Sequence, residues 1–283
     1  MILCTSAAEM SSACRDLRAS GLTLGLVPTM GALHAGHMSL VSAARADCDH
    51  VAASIFVNPT QFGPNEDLAS YPRTFDADRC RLEDAGVDLL FAPSATEMYP
   101  PGNTTFVDPG DIANRLDGAT RPGHFRGVAT IVTRLFNIVG PDRAYFGQKD
   151  AAQIAVLRHM VRDLNLQVHI AVCPIVREPD GLALSSRNRY LSPAERKNAT
   201  VLIRSLRAAE ELARAGETSA ETLRNAILAF FPSEPDLRLD YAVVVDPDTL
   251  LPVADATNGA LVAVAAFFGT TRLIDNLLLH RSE

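Results

Sequence analysis

A short apolar run over residues 22–27 leads directly into Pro28-Thr29-Met30-Gly31-Ala32-Leu33-His34-Ala35-Gly36-His37, and a helical pattern follows over residues 38–46. This succession of strand, glycine turn and helix constrains the chain more than any other stretch. Buried strands read as continuous apolar runs, and a helix that starts beyond a strand's end carries unpaired N–H groups and the positive end of its dipole. An open α/β sheet takes its ligand at such a turn, and phosphate is favoured there. His34 and His37 stand at i and i+3, on one face of the first turn, and Gly36 between them leaves room for close approach. Two imidazoles facing that turn suit a triphosphate whose charge shifts as it is displaced. By spacing alone they also fit two zinc ligands or two surface residues. No third metal ligand of the usual kind is near in sequence.

The pattern recurs. Strands are predicted at residues 51–57, 87–91, 142–146 and 167–172, with helices at 75–85, 128–139 and 151–164 and a mild helical pattern over 1–20. Strands alternating with helices predict an α/β sheet. Residues 93–120 are rich in proline, glycine, threonine and aspartate and read as an excursion outside that sheet. The order then changes. Ser192-Pro193-Ala194-Glu195 is a strong helix start, predicted to run to about residue 214. A helix at 219–230 and strands at 239–245, 261–268 and 271–278 follow, which predicts a smaller α+β domain with an antiparallel sheet. The boundary is placed near residue 176, giving domains 1–176 and 177–283.

With 283 residues, 47% of them hydrophobic, the chain is long enough for two cores. A net charge of −7 argues against nonspecific nucleic-acid binding. The five cysteines, at positions 4, 14, 48, 80 and 173, show neither metal nor disulfide spacing and read as reduced thiols. With no apolar run long enough to span a bilayer, these features predict a soluble cytoplasmic protein that binds neither membrane nor nucleic acid.

Four further polar clusters end strands or open helices. In Asn58-Pro59-Thr60-Gln61-Phe62-Gly63-Pro64, proline makes a rigid loop, and the Gln61 amide can hold a carboxylate without blunting it as a nucleophile. A loop glutamine in water fits equally. Residues 65–73, beginning at Asn65, read as a polar lid. Arg121-Pro122-Gly123-His124-Phe125-Arg126-Gly127 precedes a strongly amphipathic helix, and its arginines and histidine either face anions or form a solvated, capped loop. Gly147-Gln148-Lys149-Asp150 repeats the opening arrangement with a lysine at the turn, which is either a phosphate contact or a surface charge. Gln153, a turn further on, can share a small polar substrate with Gln61. Beyond Val176, the run Leu184-Ser185-Ser186-Arg187 suits a mobile phosphate clamp, or an ordinary interdomain loop.

Taken together, in order and spacing, these segments resemble the pantothenate synthetase family (pantoate:beta-alanine ligases), within the wider nucleotidyltransferase group. The likeness covers nearly the whole chain. It implies a Rossmann-like doubly wound parallel sheet, a smaller C-terminal lid domain that opens with the clamp, and a homodimer. It implies a reaction in which the carboxylate of pantoate attacks ATP, pantoyl adenylate forms with release of pyrophosphate, and beta-alanine displaces AMP. It places Met30, Gly31, Ala32, Leu33, His34, Ala35, Gly36 and His37 along the ATP, with His34 and His37 on the phosphates and His37 as proton donor. Gly147, Gln148, Lys149, Asp150 and Val176 hold the nucleotide in this resemblance, Lys149 on the phosphates and Asp150 on the ribose, while Leu184, Ser185, Ser186 and Arg187 close over the triphosphate. Gln61 and Gln153 hold pantoate, and Gln61 also meets beta-alanine. Mg2+ is expected with ATP, held mainly by phosphate oxygens and with no protein ligand assigned. Leu184 stands where relatives often carry methionine, a volume-conserving change, and Ala152 where they often carry glutamine. Two other activities fit parts of the pattern: AMP transfer to a phosphate-bearing acceptor, which the uncharged glutamine pair disfavours, and a non-catalytic RNA-associated role, which the acidic balance disfavours.

Overall fold

The computed structural model describes residues 1–19, 21–64, 66–231 and 237–280. Asn65, the first residue of the expected lid, lies outside them. The chain divides into two compact units, one comprising Met1–Gly147 and Val156–Cys173, the other Gln148–Ala155 and Pro174–Glu283.

The first unit opens with β1 (Ile2–Cys4), α1 (Ala7–Arg18), β2 (Leu24–Thr29), α2 (Ala35–Asp47), β3 (His50–Ile55), α3 (Phe75–Asp84) and β4 (Leu89–Phe91). The excursion holds only single turns, including α4 (Ala95–Met98) and α5 (Asp117–Thr120), before α6 (His124–Val139) and β5 (Arg143–Gly147). Helix α7 (Ala151–Asp163) and β6 (His169–Cys173) follow, the start of α7 belonging to the second unit. Six strands form one parallel sheet in the order β1-β4-β3-β2-β5-β6. From β2 the chain winds outward through β3 to β4, then returns to lay β5 on the other side of β2. The winding therefore reverses between β2 and β5, where Leu26 pairs with Ala144, and the ends of these strands at Thr29 and Gly147 flank the crevice such sheets use for ligands. Val27, Val41, Val51, Leu82, Leu90 and Tyr145 are among the side chains that bury one face of the sheet.

Five of these strands and their helices follow the sequence pattern. Strand β1 does not: residues 1–20 read only as a helix, and three residues are too few to show a period. Its place is fixed by pairing, Ile2 with Leu89 and Cys4 with Phe91. Helix α2 starts at Ala35, three residues before the expected 38, for a reason that lies in the two histidines.

The second unit continues with α8 (Pro193–Asn198), α9 (Val201–Arg214), α10 (Ala220–Leu228), β7 (Leu237–Val245), β8 (Ala260–Phe268) and β9 (Thr271–Leu279). Its sheet is antiparallel in the order β7-β8-β9 and buries Val262, Val264 and Phe268 with Leu202, Leu206 and Leu223 of the helices. The expected helix from residue 192 to 214 is two helices. Ser192 and Glu195 cap its start reciprocally, as the sequence predicts, but Thr200 turns its hydroxyl onto the Lys197 carbonyl, 2.9 Å away, and the first helix ends. Among the described residues no helix is long and apolar enough to cross a membrane.

Candidate active site

Strand β2 ends in a turn that the backbone alone would resist. Gly31 and Ala32 both have positive φ, 83° and 51°, and for alanine that conformation costs about 1–2 kcal/mol. Asp78 on α3 holds the turn. Its carboxylate, 1% exposed, accepts from the Ala32 and Leu33 N–H groups at 2.8 Å each, while the Thr74 hydroxyl donates to it at 2.9 Å. Thr29 adds a relay, accepting from Gly31 N at 3.1 Å and donating to the Ser54 carbonyl at 2.7 Å. Arg81 donates to the Leu33 carbonyl.

The turn delivers His34 as the N-cap of α2, with extended backbone, and His37 as its third residue. Each histidine caps the other's end of the turn. His34 Nδ1 accepts from Gly36 N at 3.1 Å, and His37 Nδ1 accepts from His34 N at 3.3 Å. This is the capping-box arrangement with imidazoles in place of serine and glutamate. It explains the early helix start, because two of the orphan N–H groups are satisfied before residue 38. The rings lie 4.1 Å apart between centroids, tilted by 38°. A side chain at position 36 would bring Cβ to 2.9 Å from His34 Cε1, so the room that Gly36 leaves is filled by the His34 ring. With both Nδ1 atoms accepting, a neutral ring at either position carries its proton on Nε2.

Beyond β3, Pro59–Gln61 form a single turn, with Asn58, 1% exposed, as its hub. Asn58 Nδ2 donates to Gln61 Oε1 at 3.0 Å and to the Gly127 carbonyl at 3.1 Å, and its Oδ1 accepts from Tyr99 OH at 2.8 Å. Gln61 Nε2 in turn donates to Met30 Sδ at 3.2 Å, so Gln61 touches the turn that delivers His34. Thioether sulfur is a weak acceptor, and a carboxylate would readily replace it.

Arg121 and His124 turn inward rather than to solvent, and the anion that Arg121 faces is a carboxylate of the chain itself, Glu66. Arg121 grips Glu66 through two bonds of 2.7 and 2.6 Å and lies 3.0 Å from His124 Nε2, and His124 Nδ1 is 2.8 Å from the Gln61 carbonyl. Burial, then the Arg121 charge, pushes the His124 pKa down to about 4. The ring is therefore neutral, with Nδ1–H donating to Gln61 and Nε2 accepting from Arg121. Burial opposes the ionisation of Glu66, but the Arg121 hydrogen bonds and charge outweigh it and lower its pKa. Arg126 instead stacks on Phe106, 4.3 Å from its centroid, beside a cavity of about 150 Å3 that Gln61, Phe62 and His124 also line.

In the second unit, Gln148–Asp150 form a single turn before α7. Lys149 Nζ is 3.6 Å from Asp150 Oδ1, and the lysine side chain is 21% exposed. Gln153 is half-buried on the first turns of α7. Residues 176–184 form a hairpin, with Leu184 N donating to the Val176 carbonyl at 3.0 Å and Arg177 bridging to Ala183. Ser185 then caps the turn Ser186–Tyr190, its hydroxyl accepting from Arg187 N at 3.3 Å. Leu184, Ser185, Ser186 and Arg187 are all half-buried. Among the described residues no three His, Cys, Asp or Glu side chains gather as a metal site.

A family model for pantoate-beta-alanine ligases matches residues 2–278. The chain belongs to the pantoate-beta-alanine ligase family. A pantothenate synthetase of Koribacter versatilis is 57% identical over 273 residues, 96% of this chain and 94% of that protein. One from Roseiflexus is 58% identical over 280 residues, 99% of this chain and the whole of its own. The crystal structure of the Thermus thermophilus pantothenate synthetase superposes with a TM-score of 0.92 at 49% identity, covering 99% of this chain and 100% of that one. A Francisella tularensis pantoate-beta-alanine ligase, solved in complex with a β,γ ATP compound and beta-alanine, gives 0.81 at 36% identity, covering 98% and 97%. The expected family and the α/β sheet with its antiparallel second sheet are thus borne out. Not legible in the motifs of this ligase is the support: Asp78 beneath the turn at Ala32, Tyr99 on Asn58, and the inward turn of Arg121 onto Glu66 and of His124 onto the Gln61 carbonyl. These contacts carry no local signal, because Asp78 acts across 46 residues, Tyr99 across 41, Arg121 across 55 and His124 across 63.

Proposed function

We propose that this chain condenses pantoate with beta-alanine in two ATP-driven steps. A pantoate carboxylate oxygen attacks the α-phosphorus of ATP, forming pantoyl adenylate as the bond to pyrophosphate breaks. The beta-alanine amine then attacks the acyl carbon, the amide forms with loss of a proton from nitrogen, and AMP leaves. Both steps need positioning and charge neutralisation more than a strong acid or base. The observation that carries this reading is the reciprocal histidine cap, in which both Nδ1 atoms accept from main-chain N–H groups at a helix N-terminus beside β2.

In this reading Met30–His37 line the ATP, His34 and His37 donate to phosphate oxygens, and His37 supplies the proton-donor role. Lys149 and Arg187 bring positive charge to the phosphates, Asp150 meets the ribose, and Gly147, Gln148 and Val176 hold the nucleotide. Gln61 and Gln153 bind pantoate as neutral donors that leave its carboxylate reactive. Residues 1–176 act as the ATP and pantoate domain, and 177–283 as a lid that brings residues 184–187 over the triphosphate. Mg2+ bound through phosphate oxygens fits a chain whose described residues gather no cage of their own, and it would neutralise charge on the departing pyrophosphate. The enzyme acts in the cytoplasm as a homodimer, which light scattering tests.

The deciding assay gives purified protein ATP, Mg2+ and pantoate and follows AMP and pyrophosphate with and without beta-alanine. AMP release that depends on beta-alanine is expected, and its absence overturns the reading. Lys149→Ala and His37→Ala should each slow adenylation strongly with the fold intact, whereas Gln61→Ala should mainly raise the pantoate requirement. Wild-type turnover in either of the first two removes that residue's role.

A further inference from the structure

We propose that Asn276 of β9 is a positioning residue that sets the turn carrying Lys149. The proposal rests on the reading of Lys149 as a phosphate contact.

Asn276 is 3% exposed, in a strand whose neighbouring residues are largely apolar. An amide in such a place costs free energy unless its bonds are made. Here a single side chain makes three. Its Nδ2 donates to the carbonyls of Gln148 and Lys149, each at 3.0 Å, and its Oδ1 accepts from Gln148 Nε2 at 3.0 Å. Two of the contacts fall on consecutive main-chain carbonyls of the Gln148–Asp150 turn and the third on the Gln148 side chain, so they fix its orientation as well as its location. The Lys149 side chain starts from that backbone.

The strand beneath is itself well held. Every residue of β9 pairs with β8 without a register shift, Asn276 opposite Ala263 and Asp275 opposite Val264. Consecutive residues of a strand point to opposite faces. Asp275, 2% exposed, therefore reaches the other way, where it takes both Arg177 Nη atoms at 2.7 and 2.9 Å. Arg177 also donates to the Gly181 carbonyl at 3.0 Å, locking the hairpin that precedes residues 184–187. One dipeptide on a rigid strand thus anchors two of the segments assigned to the nucleotide. Catalytic groups held this way keep their geometry between turnovers, and a misplacement of 1 Å costs about 10²-fold in rate.

The test is a double-mutant cycle in the full-length enzyme, following pyrophosphate release. Asn276→Asp keeps the shape and the acceptor for Gln148 but replaces both donors with a carboxylate oxygen facing two carbonyls. Asn276→Ser is too short to reach the turn. Either variant that melts cooperatively decides the matter. The expected result is a loss of about 10²-fold in kcat/KM for ATP, carried mainly by kcat, with pantoate binding unchanged. Combined with Lys149→Ala, the Asn276 change should slow the enzyme no further, within about two-fold, because its effect passes through Lys149. Multiplicative losses in the double variant, or wild-type rates in a folded Asn276 variant, overturn the proposal while leaving the role of Lys149 standing. A wild-type rate for Lys149→Ala alone overturns the reading of Lys149, and this proposal with it.

Discussion

Asp78 stands in none of the motifs assigned to substrate, yet the turn that delivers His34 depends on it. Replacing it by alanine removes the acceptor from two main-chain N–H groups, those of Ala32 and Leu33, in residues that are each 2% exposed. Water cannot reach groups buried to that degree without opening the turn. Each unmade buried donor costs about 1–3 kcal/mol, so Asp78→Ala should lose about 4 kcal/mol. Asp78→Asn retains one acceptor oxygen and turns an amide N–H against the other donor, and it should lose about 2 kcal/mol. Part of the loss is relieved if Ala32 abandons its positive φ, but then residues 31–33 no longer deliver His34 to the start of α2.

The measurement is urea unfolding followed by far-ultraviolet circular dichroism, since the chain has no tryptophan. Binding of a non-hydrolysable ATP analogue is measured on the same samples. The expected order of stability is wild type, then Asp78→Asn, then Asp78→Ala, with nucleotide affinity falling in the same order. An Asp78→Ala protein within about 1 kcal/mol of wild type would refute the reasoning, because it would mean that the two N–H groups find partners elsewhere.

Two further perturbations test buried charge. His124 is held neutral well below its ordinary 6.5, at about 4, so the unfolded chain binds its proton first as pH falls. Its contribution is complete above about pH 6.5 and is lost on the way down to about pH 4, on the order of 3 kcal/mol in all. Unfolding free energies between pH 6.5 and 5 should therefore decline in the wild type and flatten in His124→Gln, whereas an unchanged slope would remove His124 as the cause. Asp275→Ala leaves a half-buried Arg177 without its carboxylate and should cost about 3 kcal/mol in thermal or urea unfolding; a loss below about 1 kcal/mol would mean the ion pair is dispensable.

The fold is legible in this sequence because its strands are apolar runs and its helices carry caps and periodicity that act over a few residues. Ser192, Pro193 and Glu195 mark a helix start that the structure keeps, and residues 260–279 form the hairpin their apolar runs suggest. The break at Thr200 is not legible, since a threonine inside a helical pattern shows no sign of which carbonyl its hydroxyl will take. The candidate site divides the same way. His34, Gln61 and Lys149 stand in motifs that can be read locally. Asp78 acts on Ala32 across 46 residues, His124 on Gln61 across 63, and Asn276 on Lys149 across 127. Locally, Asp78 is one of two acidic residues in the first turn of α3, a place where acidic residues are common for dipole reasons alone.

The histidine cap also bears on how charge is distributed in the proposed reaction. A proton on either Nδ1 would remove the acceptor for Gly36 N or His34 N, so the cap and the double protonation of that ring exclude one another. In the proposed reaction the two histidines meet the phosphates as hydrogen-bond donors oriented by the same bonds that start α2, and a proton that His37 passes on is first gained at the cost of its bond from His34 N. Gln61 is neutral, with its amide oxygen held by Asn58 and its main-chain carbonyl by His124. In the proposed reaction, then, the groups assigned to the attacking carboxylate carry no charge that would lower its nucleophilicity. The cations, Lys149 and Arg187, are assigned to phosphates that gain charge as pyrophosphate departs. Stabilisation of that kind grows toward the transition state, and so acts on rate more than on substrate binding.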